Sequence, residues 1–113
     1  MADLATLQPG LIPWARWIYA VGKQQDGRLV VTSARRSRTK QAELRHRYES
    51  GLSPIFAALP GKSLHEYGWA FDMARIGKNP IGDPLLAWLG AWWQYYGGHW
   101  GGERDPVHFQ PRM

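Results

Sequence analysis

His65 and Asp72 stand seven residues apart in the stretch from Gly61 to Met73, with Gly68 between them. From Trp69 onward the residues alternate, Trp69, Phe71 and Met73 on one side and Ala70 and Asp72 on the other, which is the period of a strand with one apolar face. An odd spacing along one straight strand would set His65 and Asp72 on opposite faces. Gly68, free to bend, lets a loop swing the imidazole back to the carboxylate. Near the C-terminus comes Asp105-Pro106-Val107-His108-Phe109-Gln110. Pro106 biases Asp105 to an extended conformation and is expected to start a short strand, with Val107 and Phe109 facing the core and His108 and Gln110 facing away. Two neutral imidazoles and a carboxylate suit Zn2+, and three protein ligands leave a fourth position open to water, as hydrolytic rather than structural zinc sites do. The predicted ligands are His65, Asp72 and His108. Asp105, three residues before His108, is placed to serve as general base. Glu103 is its rival, and is more simply read as a surface carboxylate paired with Arg104. Glu66 does not make a helical His-Glu-x-x-His zinc site, because Trp69 stands where the second histidine would be.

The pattern Ser63-x-His65-x-x-Gly68-x-Ala70-x-Asp72, followed by Asp105-x-x-His108-Phe109, resembles that of the zinc peptidases that cut peptidoglycan stem peptides. These are the D-Ala-D-Ala carboxypeptidases and dipeptidases and the phage L-alanyl-D-glutamate endopeptidases. The similarity runs from about Val31 to Gln110. It implies an α+β fold of the hedgehog and DD-peptidase kind, a small antiparallel sheet carrying the zinc site and packed against helices. Thr32-Ser33-Ala34-Arg35-Arg36-Ser37, with Gln41 beyond it, resembles the family's Thr-Ser-Gly-Tyr-Arg-Ser segment. That alignment implies that Arg36, not Arg35, faces the site, to stabilise a tetrahedral oxyanion or hold a substrate carboxylate. Gly97-Gly98-His99-Trp100-Gly101-Gly102 resembles the Gly-Gly-Asp-Trp segment of the endopeptidases, with backbone expected close to the cleft. Ser63, Gln41 and His99 are the further candidate substrate contacts. The resemblance implies zinc-assisted hydrolysis of a stem-peptide amide, with Asp105 carrying the proton. Aspartate at 105, where the carboxypeptidase branches use glutamate, favours cleavage between L-Ala and D-Glu; release of terminal D-Ala is the alternative. A non-catalytic basic module that binds cell wall or nucleic acid is the alternative of another class.

Supporting elements can be read around these residues. Trp14, Trp17, Ile18 and Val21 recur at helical spacing between Leu11 and Lys23, which predicts a packing helix with Pro13 in its first turn. Arg28 to Ser33 reads as a strand. Thr39 to Ser50 reads as an exposed polar helix stopped by Gly51, and Leu52 to Lys62 as a loop anchored by Phe56 and Leu59. Arg75 to Gly82 is a connection long enough to border a cleft. Asp83 caps a helix with Pro84 at its first position, and Gly97 ends it. That helix is apolar almost all round, which predicts burial and makes its tryptophans core rather than sugar-stacking platforms.

The chain of 113 residues carries 14 Lys and Arg against 9 Asp and Glu, a net charge of +5. One domain spanning 1–113, acting as a monomer, is expected. The charge favours anionic surfaces without choosing among them. The run Arg35 to Lys40 has no accompanying DNA or RNA motif, so nucleic acid is not the expected partner; the resemblance implies peptidoglycan stem peptide. Without cysteine, disulfides and thiolate metal sites are excluded. No run approaches the ~20 apolar residues of a membrane span, and Met1-Ala2-Asp3-Leu4 lacks the basic start of an export signal. The resemblance to the phage lytic enzymes implies a protein held in the cytoplasm until a membrane lesion releases it to the cell wall.

Overall fold

The computed structural model describes residues 2–113. The apolar, β-branched run of β1 (Leu29–Ser33) pairs antiparallel with β2 (Phe71–Arg75), from Leu29↔Arg75 to Ser33↔Asp72, with an irregularity between Val31 and Ser33. Two further strands, β3 (Gly98–Trp100) and β4 (His108–Pro111), complete a four-stranded antiparallel sheet of order β1-β2-β4-β3. Alternation along β2 falls as the pattern requires: Phe71 and Met73 are fully buried, whereas Asp72 lies on the other face.

Two helices cover the apolar face, α1 (Ile12–Gln25) and α3 (Pro84–Tyr95). Ala15 and Ile18 of α1 and Leu86, Leu89 and Trp93 of α3 join Phe71, Met73 and Phe109 in the hydrophobic core. The Phe71 and Phe109 rings stack at 5.6 Å between centroids, and Trp93 meets both edge-on at 5.5 and 6.0 Å. Each such fully buried side chain contributes roughly 1.5–3 kcal/mol. A third helix, α2 (Arg38–Glu49), buries only Gln41 and lines the cleft that His65, Asp72 and His108 also line. Ser37 caps α2 and Asp83 caps α3, each through its side-chain oxygen. The fold is therefore α+β, with a small antiparallel sheet, as the sequence predicts. Among the described residues no helix is long and apolar enough to cross a membrane.

Several local expectations are overturned. Phe56 and Leu59 do not anchor their loop: they are 43% and 51% exposed, and Ile55 is the residue packed against the core. Phe56 instead meets Tyr48 of α2 edge-on. The connection from Arg75 to Gly82 does not line the cleft, because β2 runs away from the site and delivers it to the far end of the sheet. There Arg75 joins Asp26 and Asp83 in a three-residue ion cluster. α3 is not buried all round: Trp88, Trp92 and Tyr95 along it, and Tyr96 just past its end, are exposed beside Trp14 of α1. Apolar composition alone did not distinguish a helix covered on both sides from one covered on a single side. Pro106 and Val107 form a turn closed by the His108 amide on the Asp105 carbonyl, and the strand begins only at His108.

Candidate active site

His65 sits in a single 3-10 turn, Leu64–Tyr67, whose ends are specified by sequence. At the start, the Ser63 hydroxyl accepts the His65 amide at 3.2 Å. The Glu66 carboxylate reaches back to the amides of Gly61 (2.7 Å) and Ser63 (3.3 Å), a reciprocal capping box. At the end, Gly68 takes φ 78°, in the left-handed region, and turns the chain into β2. Asp72 and His108 are direct cross-strand partners in β2 and β4, so their side chains leave the same face of the sheet side by side. The loop bends back over that face and delivers His65 to them.

The result is a convergence of three donors. His65 Nε2 lies 3.0 Å and His108 Nδ1 3.5 Å from Asp72 Oδ1. One ligand atom from each residue falls within 4.8 Å of the others. The far nitrogens are occupied: His65 Nδ1 is 2.8 Å from the Ala34 carbonyl and His108 Nε2 is 2.6 Å from Gln110 Oε1. Both partner oxygens accept, so those nitrogens carry protons. The inner nitrogen of each ring faces a carboxylate oxygen that also only accepts, so each of these contacts needs either a second proton on the ring or a cation between the two. A cation among them resolves that conflict, and two imidazole nitrogens with one carboxylate oxygen fit Zn2+. Burial pushes the Asp72 carboxyl up, but the two imidazoles outweigh it and hold the group well below the usual carboxylate range. Burial pushes His108 down, and Asp72, Asp105 and Gln110 more than reverse this.

Arg36 and Asp105 complete the centre. The Arg36 guanidinium donates to Ser33 Oγ through Nε (3.1 Å) and Nη2 (2.6 Å), to Gln41 Oε1 (2.8 Å), and to Asp72 Oδ2 (3.0 Å). Arg36 thus grips the carboxylate oxygen that the imidazoles leave free. Arg35 points elsewhere, donating to the carbonyls of Thr6 and Tyr67. Asp105 Oδ2 lies 4.0 Å from His108 Nδ1, next to the donor cluster without belonging to it. Burial and the nearby Asp72 charge, partly offset by His108 and Arg36, push the Asp105 carboxyl up to about 7. Gly101 makes room for it, since a Cβ there would overlap the Asp105 carbonyl. All of these groups line one cleft of about 820 Å³.

No family model and no curated protein matches the chain. Solved structures do. A mutant of the vancomycin-resistance D,D-pentapeptidase VanY, in complex with Zn(II), superposes with a TM-score of 0.68 at 19% identity, over 93% of this chain and 72% of that one. The Serratia marcescens L-Ala D-Glu endopeptidase ChiX gives 0.62 at 20% identity, over 97% and 84%. The LD-carboxypeptidase LdcB gives 0.66 at 20% identity, over 93% of this chain and 65% of its own length. The chain has the fold of the peptidoglycan peptidases. Both carboxypeptidases and an endopeptidase are among those that share it.

Within this fold His65, Asp72 and His108 come together as expected, with Asp105 and Arg36 beside them. Ser63, Gln41 and His99 all line the cleft, but they differ in how free they are. Ser63 is buried and holds the His65 amide, and Gln41, 1% exposed, bridges Arg36 to the Ala58 carbonyl at 2.8 Å. His99 is exposed. Of the segment from Gly97 to Gly102, Gly101 brings its backbone to the cleft, close against Asp105, whereas Gly98 lies under the Trp93 ring. Glu103 is exposed, and among the described residues it makes no ion pair with Arg104. Two supporting groups went unread in the sequence, Ser33 and the Ala34 carbonyl. Gln110 was placed on the face of His108 by strand alternation, and the structure adds its contact with His108 Nε2.

Proposed function

We propose that this protein is a zinc-dependent peptidase that hydrolyses peptidoglycan stem peptides, cutting between L-Ala and D-Glu in lysis of the cell wall. The observation that carries the reading is the set of three lone-pair donors, all within 4.8 Å, with a separate carboxylate 4.0 Å from one of them. Zinc held by His65, Asp72 and His108 supplies Lewis-acid activation of water and of the amide carbonyl. Asp105 is the group that takes the proton from the attacking water and returns it to the leaving amine; a carboxyl raised toward neutrality suits both transfers. Arg36 fixes the orientation of Asp72 through its bond to Oδ2, and its remaining N–H is available to a developing oxyanion. The fold of ChiX, an L-Ala D-Glu endopeptidase, supports the reading. Aspartate rather than glutamate at 105 favours that bond over release of D-Ala, the reaction class suggested by the VanY comparison.

Elemental analysis after refolding with zinc, followed by mass spectrometry of peptidoglycan digests, tests this. One zinc per chain is expected, lost in His65→Ala, together with fragments bearing new N-terminal glutamate. Absence of metal, or full occupancy in His65→Ala, would sink the zinc assignment. Release of free D-Ala alone would move the protein to the carboxypeptidase class.

A further inference from the structure

The cleft is lined by five permanent cations, Arg35, Arg36, Lys40, Lys62 and Arg104, against only two carboxylates, Asp72 and Asp105. Three of the cations are committed. Arg36 is bound to Asp72, Arg35 to two backbone carbonyls, and Lys40 lies 3.5 Å from Glu43. Among the described residues Lys62 and Arg104 reach no carboxylate. Both are exposed, yet their backbones are held in place close to the reacting groups. Lys62 lies between Gly61 and Ser63, whose amides are pinned by Glu66, and its own amide donates to the Leu59 carbonyl at 3.0 Å. Arg104 closes the 3-10 turn Gly102–Arg104 and immediately precedes Asp105.

Two chain segments, one leading to His65 and the other to Asp105, therefore each hold out an unpartnered cation at the mouth of the same cleft. Both carboxylates inside are already engaged or adjacent to the donor cluster. A dication bound there makes the cleft more positive still. The charge imbalance has to be met by the ligand, in a concave site where fields are focused. We propose that Lys62 and Arg104 recognise a substrate carboxylate next to the scissile bond, so that the site selects acidic peptides. This rests on the peptidase reading and adds the specificity of that same site. For an L-Ala–D-Glu bond the matching group is the free carboxylate of the glutamate.

The test uses the zinc-loaded protein and two stem peptides identical except that this glutamate group is a carboxylate in one and a carboxamide in the other. The wild type should prefer the acid in kcat/KM by about fivefold, the scale of one partly screened ion contact, and the preference should shrink as salt is raised. In Lys62→Gln and Arg104→Gln the ratio should fall, and in the double variant it should approach one, the loss appearing as a raised KM for the acid. A ratio that persists in the double variant, or a loss shared equally by both peptides, overturns the proposal. Calorimetry of the same two peptides on Asp105→Ala protein gives the comparison without turnover. Failure of the wild type to cleave either peptide refutes the peptidase reading, while the calorimetric ratio still decides whether Lys62 and Arg104 read the carboxylate.

Discussion

Asp72 is drawn in two directions at once. Its Oδ1 faces the two imidazoles and its Oδ2 faces Arg36, so each oxygen has a separate task. Asp105 has no such commitment: among the described residues its one ion-pair contact is with His108, at 4.0 Å. The two carboxylates should therefore respond differently to changes around them. Asp105→Ala should keep zinc bound and lose about 10²–10⁴ in kcat, the range that general acid–base catalysis supplies. Arg36→Ala should weaken zinc binding as well as turnover, because groups that orient a metal ligand typically affect affinity by about 10–100-fold. Zinc titration and steady-state kinetics on the two variants check this. Equal zinc affinity in wild type and Arg36→Ala would deny the orienting role, and normal turnover in Asp105→Ala would deny the base. At this scale the sequence was informative where a residue type is chemically scarce. Histidines and aspartates at motif spacing were readable as candidate ligands that the fold brings together, and Arg36 could be told from Arg35. That Arg36 binds Asp72 was not readable, because the contact joins residues 36 positions apart.

Helix ends and turns carry much of the positioning. Asp83, 3% exposed, caps α3 and also binds Arg75, which in turn reaches Asp26 at 3.0 Å. Burial pushes the Asp83 carboxyl up, but Arg75 and the Leu85 amide outweigh burial and hold it below the usual carboxylate range. A carboxyl depressed in the folded state adds stability above its unfolded value of ~3.9 and loses it as pH falls through the folded value. Asp83→Asn keeps a capping side chain and should flatten the acid limb of the stability profile. Denaturant unfolding from about pH 5 down to pH 2 measures it; parallel profiles for wild type and variant would show that Asp83 contributes nothing to that limb. The cap itself was legible from Asp83-Pro84, and so were α1, α2 and β1. The burial of α3 was misjudged because Trp and Tyr score as core residues whether or not another layer covers them. Gln41 was seen as a candidate substrate contact, while its burial in an otherwise solvated helix escaped hydrophobic periodicity, which counts no polar side chain as inward-facing.

Over the whole molecule, the sheet is unevenly laced. β1 and β2 share four registered pairs, β3 and β4 three, but β2 and β4, at the centre, share only Phe71↔Phe109 and Asp72↔His108. One of those two pairs is apolar and stacked; the other consists of two of the predicted zinc ligands. The thinnest seam in the fold is thus closed by core packing on one face and by the ligand site on the other. Ligand binding then acts as a removable rivet between two halves of the sheet. The Met73 amide, which bonds across the seam to the Val107 carbonyl at 3.0 Å, reports on it. With zinc at a hundredfold excess over its dissociation constant, the folded state gains about 2.7 kcal/mol. Chelation should cost that protection first at Met73 and only later along β1, a local opening that hydrogen exchange can time. Exchange at Met73 that ignores the chelator would mean that the halves are held by packing alone. If the rivet is real, loss of metal does more than silence the site: it parts the strand carrying Asp72 from the strand carrying His108, so the apoprotein gives up the geometry needed to bind zinc again as the seam opens.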